Sequence, residues 1–566
     1  MKTLDWVVLL GTIAVIVAVG LYKERGTKSS EQYLRGGSSL RWWTVGLSIM
    51  ATQASAITFL SMPGQAYEDG MGFIQFYLGL PIAMVILSVW ILPIFYRLKV
   101  YTAYQYLELR FDRATRQLVA FLFLLSRGLA SGIAIYAPAI VLATVLGWPV
   151  QLTSLAIGLV TIAYTVSGGS TLVARTQTYQ MVVMLGGMVA AAFVIWHQLP
   201  PALTFNSALH VAGALGRLHP MDYSFRFDAR YTFWSGLLGG LFVQLAYFGT
   251  DQSQVQRYLG GASLTESRLG LLFNGLLKLP MQFLILFVGV LVFVFYQFHP
   301  PPVFFDRARW SALAHGAQAL EARAIEAEHT RAFAVKRERV EALVREPSAE
   351  NADALRASAH DTDAVRLRAR DLVRRAGSEV KDSDFIFIDF VVKQLPVGFV
   401  GLLIAVILSA AMSAVASALT SLGTTTVIDF YRVSFRPHAS DAHYVTAGKW
   451  FTVMWGLVAV AFAALASQLD NLIQAVNILG SIFYGPMLGI FTVGFFIPHV
   501  KARAAVLATV IAQAVVVAVF LTSHISFLWY NVIGALALVL MALALQAMSG
   551  STPPGGSDPA AGKVAL

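Results

Sequence analysis

Cysteine is absent from the 566 residues, which excludes a disulfide framework, a thiol nucleophile and a cysteine-held zinc. Charge is scarce as well: Asp, Glu, Lys and Arg make up 13% of the chain, against roughly 25% in an average soluble domain. Beside a hydrophobic content of 57%, that scarcity excludes a soluble globular fold and leaves an integral membrane protein. The net charge of +10 does not mark a nucleic-acid binder, because the cations fall mostly in loops between apolar runs and in one insertion. No nucleophile, base and orienting group recur together, so no enzyme chemistry is expected.

Apolar stretches long enough to cross about 30 Å of hydrocarbon run at 4–22, 43–66, 73–97, 117–146, 149–167, 173–197, 231–250, 268–297, 397–428, 444–467, 471–498, 502–522 and 526–548. The expected fold is therefore an all-α integral membrane protein of about 13 transmembrane helices. The first run ends in Lys23, Arg25 and Lys28 rather than at a small-residue cleavage site, and reads as a retained span. Basic residues alternate between short loops: Arg35 and Arg41 also follow the first span, Arg97, Lys99, Arg110, Arg113 and Arg116 the third, Arg257 and Arg268 the seventh, Arg432 and Arg436 the ninth, Lys501 and Arg503 the eleventh. The intervening short loops are acidic or neutral (Glu68 and Asp69, Gly147 and Trp148, Asp470, Ser523 and His524), which predicts the N-terminus outside and the C-terminus in the cytoplasm.

Residues 304–384 break the pattern, being rich in Ala, Arg and Glu with a turn at Pro347. They read as an extracytoplasmic helical hairpin, and long loops of this kind largely escape the charge rule. A partner- or ligand-binding role and a plain solvated insertion both fit. The tail from Ser549 to Leu566, with two prolines followed by two glycines, reads as disordered.

Polar residues inside the spans are the functional candidates, because an unpaired polar group in hydrocarbon costs several kcal/mol. The stretch from Leu47 to Tyr67 is interrupted by Thr52, Gln53, Ser55 and Thr58, where a transporter would open its backbone to a solute or ion; small-residue helix packing is the plainer reading. Ser409, Ser413, Ser417, Thr420 and Thr424 form a hydroxyl ladder of hard oxygen donors suited to an alkali cation, or simply hydroxyls bonded back to their own helix. Arg127 falls near mid-depth and matches a carboxylate solute or ties helices together, while Lys278 either acts in the interior or snorkels.

Six motifs in order, Ser55-Ala-Ile-Thr-Phe-Leu-Ser-Met-Pro-Gly, Tyr136-Ala-Pro-Ala, Tyr164-Thr-Val-Ser-Gly-Gly, Gly249-Thr-Asp-Gln-Ser-Gln-Val-Gln-Arg-Tyr, Ser409-Ala-Ala-Met-Ser with Asp429-Phe-Tyr, and Gly485-Pro-Met-Leu-Gly, resemble the sodium/solute symporter family. The resemblance implies a leucine-transporter-like core of two inverted five-helix repeats, 43–197 and 231–498, the second carrying the 304–384 insert. Around it lie an N-terminal span and cytoplasmic loop (1–42), an outer loop (198–230), two C-terminal spans (499–548) and the tail.

By motif match the coupling sodium would be held by the carbonyls of Ala51, Ala54 and Ala410 and the hydroxyl of Ser413. The family's second hydroxyl position is Ala414, leaving a water or Ser417 as substitute, and Gln177 stands where relatives often carry an aspartate. The solute site would draw on Gln53, Ser55, Thr58 and Gln75, with Arg127 added from its depth. The implied function is sodium-coupled import of a small polar organic solute, anionic ones included, across the cytoplasmic membrane. The expected partners are solute, sodium and lipid, without nucleic acid and with the chain as a monomer. A solute sensor or sodium-independent facilitator is the alternative that Ala414 keeps open.

Overall fold

The computed structural model describes residues 1–23, 29–377, 382–465 and 472–549. Arg25 and Lys28 of the first basic loop, Asp470, and the tail from residue 550 onward lie outside the described residues. Every named element among the described residues is helical, and the one strand-like contact is an isolated bridge between Leu40 and Gly261. That is the expected outcome for a backbone in hydrocarbon, where each N–H and C=O must find its partner within the segment.

The chain enters through α1 (Thr3–Lys23), then α2 (Trp42–Gln53) and α3 (Ala56–Asp69), and a helical run continues to Leu98 with a tight stretch over Gly70–Tyr77. Next come α4 (Arg113–Leu146), α5 (Val150–His197), α6 (Phe205–Ala214), α7 (Gly240–Thr250), α8 (Gln252–Leu259) and α9 (Leu264–Phe298). Two charged helices follow, α10 (Ala319–Arg345) and α11 (Ala349–Arg375). Then come α12 (Ser383–Gln394), α13 (Phe399–Thr425), α14 (Asp441–Leu465), α15 (Leu472–Phe496), α16 (Ala502–Thr522) and α17 (Phe527–Met548).

Among the described residues nine helices are long and apolar enough to cross a membrane, against the thirteen runs read from hydropathy. Part of the difference has a local cause. At 1.5 Å per residue a straight 48-residue α5 would reach about 72 Å, far more than one bilayer core. It does not run straight: Gly169 leaves helical geometry at φ +62° and ψ −151°. A Cβ there would lie 2.6 Å from the Tyr33 ring and 2.7 Å from the Tyr33 carbonyl oxygen, so only glycine allows this bend. The run at 43–66 is split by the opposite means, since α2 stops at Gln53 and α3 starts at Ala56.

At the centre α13 packs against α1, α3, α4, α5 and α14. Its small side chains Ser409, Ala410, Ala411, Ser413, Ala416 and Ser417 are fully buried, and small residues are what allow helix backbones to approach closely in a membrane bundle. The start of α13 is tied to the chain's beginning: the buried Asp5 carboxylate accepts the backbone N–H groups of Gly398 at 2.6 Å and Gly401 at 3.3 Å. A carboxylate at a helix N-terminus satisfies donors that have no partner within the helix.

The two charged helices lie side by side, joined by three residues, with the Ser348 hydroxyl capping α11 by accepting the Asn351 N–H at 3.2 Å. Val340, Leu343, Leu355, Ala369 and Leu372 are buried along them, while Arg375 meets Glu321 at 2.5 Å and Arg368 pairs with Glu328. The pair is anchored to the body by Arg366 to Asp382 at 2.7 Å and by Arg370 to Glu68, the latter at the end of α3.

Candidate functional site

The break between α2 and α3 organises the interior. Ala54 and Ser55 leave helical geometry, at φ −80°, ψ 82° and φ −81°, ψ 173°, so the last carbonyls of α2 and the first N–H groups of α3 lose their intrahelical partners in mid-chain. Only short turns repair this locally, Ser55 N–H donating to the Gln53 carbonyl and Thr58 N–H to that of Ser55, each at 3.0 Å. The other main-chain groups at the break are left to face whatever α13 and the cavity supply.

On one side of the break lies a cavity of about 90 Å³. Gln53, Ser55 and Thr58 line it from the break, Arg127 from α4, Gln244 and Tyr247 from α7, and Asn477, Ser481 and Tyr484 from α15. Three buried polar atoms of its wall have no hydrogen-bond partner: Gln53 Oε1, Gln244 Nε2 and Asn477 Nδ2. Gln53 Nε2 does reach Gln244 Oε1, at 3.4 Å, so the two amides pair through one end and leave an acceptor and a donor over. Unsatisfied buried polar groups carry a cost of about 1–3 kcal/mol each, which a bound polar molecule would offset.

Arg127 arrives at this cavity already neutralised. Its guanidinium forms an ion pair with Asp251, with Nε 3.1 Å from Oδ2, and donates to the Tyr484 hydroxyl at 2.7 Å. Asp251 is fixed in turn as the cap of α8, accepting from Ser253 N–H at 2.9 Å and the Ser253 hydroxyl at 2.6 Å. Arg127, read from sequence as matching a carboxylate solute or tying helices together, is thus half of a buried ion pair.

On the other side of the break is an oxygen cluster. Ser413 donates its hydroxyl proton to the Ala51 carbonyl at 2.9 Å, and Thr52 and Ser417 share a hydroxyl–hydroxyl bond of 2.9 Å. Into this cluster reaches Gln177 of α5. Its Nε2 lies 2.6 Å from Ser417 Oγ, 3.0 Å from Ser413 Oγ, 3.1 Å from Thr52 Oγ1 and 3.2 Å from the Ser413 carbonyl. Its Oε1 accepts from Ser48. One amide group with two protons therefore serves four oxygens from two other helices.

The residues read from sequence divide accordingly. Gln53, Ser55, Thr58 and Arg127 meet at the cavity, and Ala51, Ser413 and Ser417 meet at the cluster. Ala54 and Ala410 are fully buried, Ala54 in the break itself and Ala410 on α13. Gln75 does not line the cavity: its Nε2 donates to the carbonyls of Gly72 and Tyr231 and its Oε1 accepts from Asp222 N–H, at 2.9–3.2 Å, so its capacity is spent on holding the outer loop. The lower ladder goes elsewhere too, Thr420 accepting from Arg257 at 3.3 Å and Thr424 donating to the Leu34 carbonyl at 3.1 Å. Lys278 does not snorkel; it is fully buried, its ammonium 5.9 Å from the Tyr77 ring centroid. Sequence reasoning assigned no role to Asp251, although a mid-depth arginine demands a carboxylate partner, or to Asn477, Ser481 and Tyr484, whose 3- and 4-residue spacing puts them on one face of an otherwise apolar helix.

The sequence profile of the sodium:solute symporter family matches residues 33–308 and 364–512, well over half of the chain. The mouse sodium-coupled monocarboxylate transporter 2 is 27% identical over 504 residues, which is 88% of this chain and 69% of that protein. The sodium/sialic acid symporter SiaT of Proteus mirabilis is 24% identical over 540 residues, covering 95% and 93%. A solved outward-open, substrate-bound Na+-coupled sialic acid symporter superposes with a TM-score of 0.76 at 23% identity, covering 97% of this chain and 98% of that one. A nucleobase-cation-symport-1 family transporter in a closed conformation superposes with a TM-score of 0.50 at 13% identity, covering 95% and 98%. These relatives are transporters and not enzymes, and the match along most of its length shows that this chain belongs to the sodium:solute symporter family.

Proposed function

We propose that the protein is a sodium-coupled secondary transporter that imports a small polar organic solute by alternating access. The observation that carries this reading is the α2–α3 break, with an unsatisfied amide-lined cavity on one side and a hydroxyl and carbonyl cluster on the other. The solute would bind through Gln53, Ser55, Thr58, Gln244 and Asn477, whose free donors and acceptors suit hydroxyl, amide or carboxylate groups. Arg127 would position Asp251 and Tyr484 rather than meet an anion with a free charge. Sodium would be held by the Ala51, Ala54 and Ala410 carbonyls with Ser413 and Ser417, hard oxygen donors fit for an alkali cation. The two inverted repeats, the thirteen passes and the outside placement of the N-terminus and of α10 and α11 belong to the same reading, supported by the alternation of basic loops.

The test is solute-induced thermal stabilisation of the purified protein, screened over sugars, amino acids, monocarboxylates and sialic acids in sodium and in potassium. Stabilisation by one solute class only in sodium is the expected result; stabilisation by none, in either salt, would sink the reading.

A sodium-independent facilitator or sensor is the second reading, and Gln177 is what favours it. Its amide protons already satisfy the oxygens of Thr52, Ser413 and Ser417 without an ion, and Ala414 offers no hydroxyl to compete. Equal stabilisation in both salts would select it.

A further inference from the structure

A second, larger cavity of about 510 Å³ lies far from the α2–α3 break, where α10 and α11 meet the body. Its walls come from both charged helices, from the turn after α6 and from α9, and its chemistry from Arg217, Lys336, Arg356, Gln297, Phe293 and Asp363. The family profile stops at residue 308 and resumes at 364. Lys336, Arg356 and Asp363 therefore belong to the part of the chain outside the shared pattern, whereas Arg217, Phe293 and Gln297 lie within it.

Two cations of this cavity meet aromatic rings rather than a bonded carboxylate, the Lys336 ammonium lying 5.8 Å from the Phe333 ring centroid. Lys336 is 7% exposed, and its ammonium makes no ion pair or hydrogen bond among the described residues. Arg217 lies over the Phe293 ring at 4.7 Å, its guanidinium donates no hydrogen bond, and its Nε is buried and unsatisfied. Gln297 donates to the Phe293 carbonyl at 2.7 Å but leaves its Oε1 unpartnered. Arg356 at the rim is committed, to Asp353 and to the Ala214 carbonyl at 3.2 Å. Three cationic side chains thus face one carboxylate, Asp363, which forms no ion pair with Lys336. Of the neighbouring acids, Glu68 and Asp382 are taken by Arg370 and Arg366, and Asp69 lines the adjoining cavity, where the field of Arg217 acts on it. Burial pushes the Lys336 ammonium down to about 8, the field of Asp363 opposing the shift and those of Arg366 and Arg217 adding to it.

We propose that this cavity binds a small organic carboxylate, with its anionic group at Lys336 and Arg217 and its apolar part against Phe293 and Leu215. The charge excess selects the anion, and the aromatic and aliphatic wall selects an organic one over a bare inorganic ion. This site is independent of the transport reading, since none of its residues touches the break or the oxygen cluster.

The test uses the full-length protein in detergent, in a sodium-free potassium buffer that silences a sodium-coupled central site. Potassium benzoate is titrated by calorimetry against benzamide and potassium sulfate. Benzoate is expected to bind at least about tenfold more tightly than either. Lys336→Met is expected to weaken benzoate by about tenfold or more. Because that variant could disturb the packing of α10, a second measurement uses the unaltered protein. Acylation of Lys336, followed by peptide mass mapping, is expected to slow at least about threefold in benzoate and not in benzamide. Equal binding of benzoate and benzamide, sulfate binding as tight as benzoate, or Lys336 labelling indifferent to benzoate would each overturn the proposal.

Discussion

Arg127 and Asp251, 124 positions apart in the chain, form an ion pair in the wall of the central cavity, and the Tyr484 hydroxyl bonds to both. Each of the three comes from a different segment, α4, the α7–α8 junction and α15, so the pair fastens three parts of the bundle around the space where a solute would sit.

Breaking such a buried pair from one side leaves an uncompensated charge and costs about 3–5 kcal/mol, more than the pair itself contributes. Arg127→Gln and Asp251→Asn should therefore each lower the unfolding midpoint strongly, and the double variant should recover a large part of the loss. The double-mutant cycle by thermal unfolding measures this, and strictly additive effects would count against coupling. Transport of anionic and neutral solutes should fall together in Arg127→Gln; a selective loss of anions would return the arginine to direct solute binding.

The oxygen cluster makes a prediction about ions. Gln177→Asp removes the two amide protons that serve Thr52, Ser413 and Ser417, and so should destabilise the protein in potassium by about 1–3 kcal/mol. Sodium should restore that loss, giving a midpoint that depends on sodium far more than in the parent. Gln177→Leu should lose stability in both salts alike.

Ala414→Ser supplies one further hydroxyl next to Ser413. One added oxygen ligand worth about 1 kcal/mol corresponds to a roughly fivefold gain in apparent sodium affinity. The sodium dependence of solute uptake into vesicles reads this directly, and an unchanged half-saturation would place the ion elsewhere.

Gly169→Ala should be among the most damaging single-methyl substitutions in the chain, because it combines a positive φ with a contact of 2.6 Å to the Tyr33 ring. A loss of about 2 kcal/mol or more is expected, and Tyr33→Ala should relieve part of it by opening the space.

His329, buried in α10, is held down to about 4 by burial and by the positive fields of Arg366 and Lys336. Its folded value lies below the ordinary 6.5, so the unfolded chain binds the extra proton first as pH falls. Stability should accordingly decline from about pH 6.5 to about pH 4, by an amount of order 3 kcal/mol, and be unaffected by this group above that range. His329→Leu should flatten the decline; thermal unfolding followed from pH 7 to pH 4 on both proteins gives the comparison.

The membrane class and the polar break at Thr52–Thr58 were legible before any coordinates, because hydrophobicity and charge density are written locally, whereas the facing of that break by Ser413 and Ser417 was implied only by the family resemblance. Gln53, Ser55, Thr58 and Arg127, read from sequence as solute candidates, line one cavity. Gln75 was not separable from them by sequence, since an amide spent on three loop hydrogen bonds and an amide free for a ligand look the same in a string of letters.

What the sequence by itself determined is that the chain must bury its backbone in helices and hide a few polar residues from lipid. Which partners those residues found was decided only by tertiary packing. That Arg127 is neutralised by Asp251, that the Gln177 amide fills the oxygen cluster, and that Lys336 and Arg217 share one cavity all depend on contacts across 119 or more positions of chain. A hydrogen bond or ion pair acts over about 3 Å, and no local pattern encodes which distant segments a fold will bring within that range.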